Sequence, residues 1–353
     1  MSIGERIKSA RVMARLSQRD LGEAAGVSAM AISKYERNQD APGSGVLLNL
    51  AHALDIKLEY FFRPVTVSVS RPTFRCHISL SRGNQDRILL AIQEWLERYL
   101  EVESLFENEG CATPFSHFRR AITSMDDIEQ AALGLREEWH LGDGPIDGLM
   151  EVIEAHGIKV GLVVGQPDFD ACTFWVNDTL PVIAVKGDVP GDRQRFNLAY
   201  ELGHLVLDIP EELDAEKAAH RFATAFLVPA TDAQCELGLR RRNLGEYELH
   251  LLKHKYGMSM QDWVCRAKDL GVLSEQDAGR LFGQFRKRGW REIEPGDVFP
   301  PEESGRMKRL VLRALSEDMI SESRAAELLG MPLAAFYAWE AEQHGGFPVA
   351  LSL

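Results

Sequence analysis

The sequence predicts a multidomain α+β protein: an all-α N-terminal domain, a helical spacer, an α+β domain with a small sheet, and a helical C-terminus. Three observations carry this expectation. At 353 residues the chain exceeds what one small hydrophobic core organises. Helical periodicity dominates both ends, while short runs rich in β-branched and aromatic residues cluster in the middle. Breaks stand at Pro64 and in the turn-rich stretch 289–301. The expected boundaries are therefore 1–63, 64–127, 128–288 and 289–353.

Composition narrows the function classes. Hydrophobic residues make up 45% and charged residues 26%, the balance of an ordinary globular chain. The apolar stretches fall short of the roughly 20 residues that span a bilayer, so no membrane role is expected. The N-terminus sets Glu5, Lys8 and Arg11 on a helical pattern and lacks an apolar secretory core, which points to the cytoplasm. Five cysteines (Cys76, Cys111, Cys172, Cys235 and Cys265) stand far apart with no C-x-x-C pair. Such spacing suits reduced thiols and neither a disulfide framework nor a cysteine zinc site. The net charge is −13, but residues 1–63 carry +2 and the remainder −15. A mildly basic head on an acidic body permits DNA binding by the head alone.

In the first domain, Ile3, Ile7, Ala10 and Ala14 share one helical face. Ser17 caps a second helix from Gln18 to about Ala25, which Gly26 ends; Ser28 caps a third, from Ala29 to about Arg37. Two short helices around a glycine turn form a helix-turn-helix unit. The run from Val46 to Leu54, with Leu58, Phe61 and Phe62, closes the core.

The segment "LSQRDLGEAAGVSAMAISKYERNQDAP" resembles the Xre/phage-repressor helix-turn-helix family over the whole unit. The resemblance implies a double-stranded DNA partner, with Ala29, Met30 and Lys34 of the third helix facing base edges. Gln18, Ser28, Ser33 and Arg37 are then candidate phosphate contacts. Ala29 and Met30 offer only apolar contact, for instance to a thymine methyl, so the operator is not legible. Two half-sites, and hence a homodimer, are expected.

Past Pro64, residues 65–72 suit an extended connection. From Gln85 to about Glu107 a helix places Ile88, Leu89, Ile92, Trp95, Leu96, Tyr99 and Leu100 at helical spacing. Its aromatics suit core packing better than a ligand site.

The central domain reads as two helices, then strand candidates "GLVVG", "ACTFW" and "LPVIAV", then a helix from about Arg193 to Asp208. That helix sets Tyr200, Glu201 and His204 on neighbouring turns. Metallopeptidases of the H-E-x-x-H type use this spacing because residues i and i+4 project onto one zinc, with the intervening Glu as general base. Here the pattern is Y-E-L-G-H.

Together "RQRFNLAYELGHLVLD" and "EKAAHRFATAFLVP" resemble the IrrE/ImmA-type metallopeptidases, from about Ile128 to Leu270, and imply a zincin-like fold. By position, His204 and Glu216 fall on metal ligands and Glu201 on the catalytic base. Tyr200 stands where the family has its first histidine. A phenol titrates near 10 and binds zinc poorly at neutral pH, and two remaining ligands fall short of the usual three. His220, one turn past Glu216, is the nearest substitute, although the family usually has Asn or Asp there. Three readings stay open for this helix: a degenerate, non-catalytic peptidase fold, an altered working Zn site that uses Tyr200 or His220, or a coincidental Glu and His on an amphipathic helix.

In the C-terminal region Ser321 caps a helix, Gly330 turns and Pro332 opens another. The last helix, Leu333 to Glu340, has no Lys or Arg, so a structural cap or protein-interaction helix is expected over a second DNA reader. The resemblances together imply a transcriptional regulator whose peptidase-like domain senses a signal or binds a protein partner, as in toxin–antitoxin or prophage-type control. The alternatives are a zinc endopeptidase that cleaves a repressor, and an interaction scaffold that binds no DNA.

Overall fold

A computed structural model describes residues 3–67, 81–106, 115–177 and 179–344. The extended connection expected at 65–72 lies largely outside these residues, as do Cys76 and Cys111. The chain forms two compact units, one of residues 1–69 with 79–101, the other of residues 70–78 with 102–353.

The first unit begins with α1 (Ile3–Met13), α2 (Gln18–Ala25), α3 (Ala29–Glu36) and α4 (Ser44–Ala53), followed by a 3-10 turn over Leu58–Phe62. Their apolar faces meet at Ile7, Leu21, Ile32, Leu50 and Phe61, all at most 1% exposed. Gly4 sets how closely α1 approaches α3, because a Cβ there would lie 2.0 Å from the Tyr35 carbonyl oxygen. Helix α5 (Arg82–Ser104) buries Ile88, Ile92, Leu96 and Tyr99, one stripe at helical spacing. Polar bonds hold α5 to the bundle: Arg6 donates to Glu97 at 2.7 Å, and the Tyr60 hydroxyl donates to Glu94. The aromatics of this helix thus serve packing, with Trp95 edge-on to Tyr99 at 5.5 Å.

The second unit contains β1 (Arg120–Ala121), α6 (Asp127–Glu138), α7 (Leu149–Ala155), β2 (Lys159–Val163), β3 (Ala171–Val176) and β4 (Leu180–Lys186). Strand β4 is central in a three-stranded sheet, parallel to β2 with Lys159 opposite Val182 and antiparallel to β3 with Ala171 opposite Val185. Burial of five consecutive β4 residues explains its unbroken apolar run.

After the sheet come α8 (Gly191–Val206), β5 (Leu207–Asp208), α9 (Ala215–Leu227), α10 (Ala230–Leu237), α11 (Glu246–Tyr256), α12 (Met260–Asp269) and α13 (Glu275–Lys287). The expected helix to Asp208 stops two residues earlier, because Leu207 turns extended and pairs with Arg120 of β1. At the α8–α9 contact Gly203 is decisive: a Cβ there would come within 3.0 Å of the Phe222 ring. The small residue lets the two helices pack closely and brings their polar faces together.

Helices α14 (Arg306–Ser316), α15 (Glu322–Leu328) and α16 (Leu333–His344) end the described chain. Ser321 caps α15 by accepting from Arg324 N at 3.3 Å, and Phe336 of α16 is fully buried. Among the described residues no helix is long and apolar enough to cross a membrane.

Candidate functional site

Two regions collect the chemically suggestive residues, one in each unit. In the first, Ser17 forms a capping box with Asp20, and Gly26 ends α2 in the left-handed conformation (φ 73°). Ser28 then caps α3, its hydroxyl accepting from Ala31 N at 3.1 Å. The turn between the helices is compact because Gly22 lies against it: a Cβ there would meet Val27 O at 2.8 Å.

This arrangement turns one face of α3 outward. Ser28, Ala29, Met30, Lys34 and Arg37 are exposed, Met30 to 70%, while Ile32 and Glu36 point into the core. Ser33 is half-buried; its hydroxyl accepts a bond from Arg37, which also donates through Nε to the Ser33 carbonyl at 3.2 Å. Gln18 has an inward bond that its spacing did not reveal. Its side-chain amide donates to Glu36 at 2.6 Å, and Arg11 donates to the same carboxylate through Nε and Nη2. Glu36 therefore ties α1, α2 and α3 together from a buried position.

In the second unit, α8 and α9 bring the peptidase-like residues together. The Tyr200 hydroxyl donates to Glu216 Oε2 across the helix pair, and the Tyr200 and His204 rings meet edge to face at 4.9 Å. Tyr200 is 7% exposed and Glu201 2%, while His204 is half-buried and Glu216 is exposed at the start of α9. The hydrogen bond bears on whether zinc fits. A phenol at this position uses the carboxylate as its acceptor, so the pair is satisfied without a cation. Tyrosine is also a weak donor to zinc while it keeps its proton. These residues do not supply the three ready ligands that a catalytic zinc requires.

His220 lies one turn past Glu216 on α9, its ring 5.0 Å from that of Phe196, which in turn packs on Tyr200 at 5.9 Å. The other neighbours of His220 are Asp262 and Cys265 of α12. Among the described residues, these three form the group of His, Cys, Asp and Glu side chains whose ligand atoms all lie within 4.8 Å of one another. Sequence reasoning reached His220 but not its two neighbours. The i, i+3 spacing of Asp262 and Cys265 was the available signal; their pairing with a residue 42 and 45 positions upstream is a product of the fold.

Comparison with known proteins divides the chain in the same way. Residues 7–61 match the family model described as helix-turn-helix, and residues 153–266 match the IrrE N-terminal-like domain. Two uncharacterized HTH-type transcriptional regulators of Sinorhizobium fredii are each 38% identical over 60 residues, which is 17% of this chain. The chain spans about two fifths (42%) of the length of those relatives. Among solved structures, the c2 repressor protein in complex with a synthetic operator is 38% identical over 17% of this chain and 92% of that one, with a TM-score of 0.17. The chain thus joins an N-terminal Xre-type helix-turn-helix domain to an IrrE-like domain.

Proposed function

We propose that this protein is a sequence-specific DNA-binding transcriptional regulator whose IrrE-like domain senses a signal or binds a protein partner. The observation that carries the reading is the capped α2–turn–α3 unit with Ala29, Met30 and Lys34 exposed on one face of α3. A helix presented in this way enters the major groove, its first exposed residues meeting base edges. Met30 offers an apolar surface to a thymine methyl and Lys34 a donor to a guanine edge or a phosphate. Ser28, Ser33, Arg37 and the second N–H of the Gln18 amide stand as phosphate contacts. A homodimer spanning two half-sites, about 34 Å apart or a multiple of that, completes the reading.

The hydrogen bond between Tyr200 and Glu216 supports a regulatory over a peptidase role for the second domain. The rival is a zinc endopeptidase that cleaves a repressor, with Glu201 as general base and His204 and Glu216 as ligands. It requires that the phenol yield Glu216 to the metal.

Gel-shift titration of the full chain on DNA from its own promoter region tests the proposal. Met30→Ala with Lys34→Ala should weaken specific binding by about 10- to 100-fold, as expected for the loss of one or two base contacts. An unchanged footprint removes α3 as the reading helix. Cleavage of a candidate repressor that needs zinc and disappears in Glu201→Gln would favour the rival.

A further inference from the structure

We infer that His220, Asp262 and Cys265 form a binding site for a divalent transition-metal ion of the zinc class. It takes none of Tyr200, His204 and Glu216 as a ligand and is independent of the DNA-binding proposal.

Geometry is the first argument. The three ligand atoms lie within 4.8 Å of one another, and His220 Nε2 is 3.9 Å from Asp262 Oδ1. Tetrahedral zinc, with ligands at about 2.0–2.3 Å, sets its donor atoms about 3.3–3.8 Å apart. Closing the cluster onto an ion needs its widest separation to shorten by at most about 1–1.5 Å. Asp262 and Cys265 share a face of α12, and His220 reaches them from the middle of α9.

Donor chemistry is the second. One imidazole, one carboxylate and one thiol suit zinc or cobalt, while the sulfur disfavours magnesium and calcium. Asp262 is also positioned for the task. The Ser259 hydroxyl donates to its Oδ2 at 2.6 Å, and Oδ1 is the oxygen nearer His220. Supporting bonds of this kind orient carboxylate ligands in metal sites.

The surroundings supply the third. The cluster lies on the wall of a cleft of about 430 Å³. The His220 side chain is 37% exposed, so an ion can enter and a water can complete the tetrahedron. Two cations of the cleft are already paired: Lys253 with Asp192 at 3.2 Å and Glu294 at 3.1 Å, and Arg193 with Asp170 at 2.8 Å. Burial, reinforced by Glu294 and Asp192, pushes the Asp262 carboxyl up to about 7. Burial also pushes the Cys265 thiol up to about 12, with Asp262 and Asp269 adding to it. A thiol held protonated is no nucleophile, which weighs against reading Cys265 and His220 as a catalytic pair. A bound dication reverses this balance: the sulfur coordinates as thiolate and its proton passes to solvent.

On this proposal Cys265 is a reduced thiol that serves as a ligand. Cobalt(II) titration of the full-length protein, stripped with chelator and kept reduced, is the test. One equivalent should bind, with visible bands of tetrahedral cobalt and a near-ultraviolet sulfur-to-cobalt charge-transfer band. Cys265→Ser should remove the charge-transfer band, and His220→Ala should weaken binding at least tenfold. Thermal melts without metal check that each variant folds, and Cys265→Ala replaces the serine variant if that one does not. The inference is overturned by absence of binding, by a spectrum lacking the sulfur band, or by a band that survives both cysteine variants. A band lost in His204→Ala but kept in His220→Ala overturns it as well.

Discussion

A phenol at position 200 changes what the rest of the α8 face can do. Imidazole there would complete a set with His204 and Glu216, whereas tyrosine engages Glu216 as a hydrogen-bond acceptor. Tyr200→His in a Cys265→Ser background should therefore gain about one zinc per chain, measured by elemental analysis after dialysis. Adding Glu216→Gln should abolish the gain. If Tyr200→His takes up no zinc, Glu216 is not placed as a ligand. The tyrosine was legible in the sequence because the motif around it is short and local. The bond it makes was not, because Glu216 lies 16 residues away on another helix. Gln18 gives the same lesson: its place at the start of α2 suggested a phosphate contact, and only the fold shows that Glu36 takes one of its amide hydrogens.

At the scale of elements, caps and close approaches set the geometry that function uses. Ser28 fixes the first turn of α3 through one hydroxyl bond to Ala31 N. Ser28→Ala should cost about 1 kcal/mol, read as a lower denaturation midpoint of the first unit. An unchanged midpoint would mean that the cap contributes nothing to α3. Helix α8 begins under the segment that contains Pro300: Gly191 N donates to Phe299 O at 2.8 Å, and a Cβ at Gly191 would lie 1.9 Å from Pro300 O. Gly191→Ala should therefore destabilise by about 1–3 kcal/mol, because backbone must move to admit a methyl group. Gly279, on the exposed side of α13, has open space around its Cβ position. Gly279→Ala should instead stabilise by up to about 1 kcal/mol. Paired thermal melts separate the two. Both glycines stand within helical sequence, and only the tertiary neighbour distinguishes them.

At the scale of the whole molecule, charge and pH come into play. Glu103, at the end of α5, accepts from Lys159 at 2.6 Å and from Arg306 at 2.7 Å. Burial alone would raise its carboxyl, but the two cations outweigh burial and hold it below the usual 4.5. The sign follows from that depression. The carboxylate's stabilisation is present above about 4.5, the unfolded value, and is lost as pH falls through the lower folded value. Glu103→Gln removes the carboxylate to which the Lys159 ammonium, 6% exposed, donates and should cost roughly 2–3 kcal/mol near neutral pH. The deficit should shrink in acid, where the wild type loses the same interaction. A deficit independent of pH in calorimetric melts would remove the ion pair as its cause.

The sequence by itself determined the mixed α+β class, the helix-turn-helix with its serine caps and glycine turn, and the Y-E-L-G-H departure at Tyr200. These features are local: caps, turns and helical spacing act within a few residues, so their physics is written in consecutive letters. Tertiary structure alone decided which distant side chains meet. It joined Gln18 and Arg11 to Glu36, Tyr200 to Glu216, and His220 to Asp262 and Cys265. Each meeting depends on how two helices cross, and helix crossings are set by packing small residues such as Gly4 and Gly203 against neighbours far along the chain.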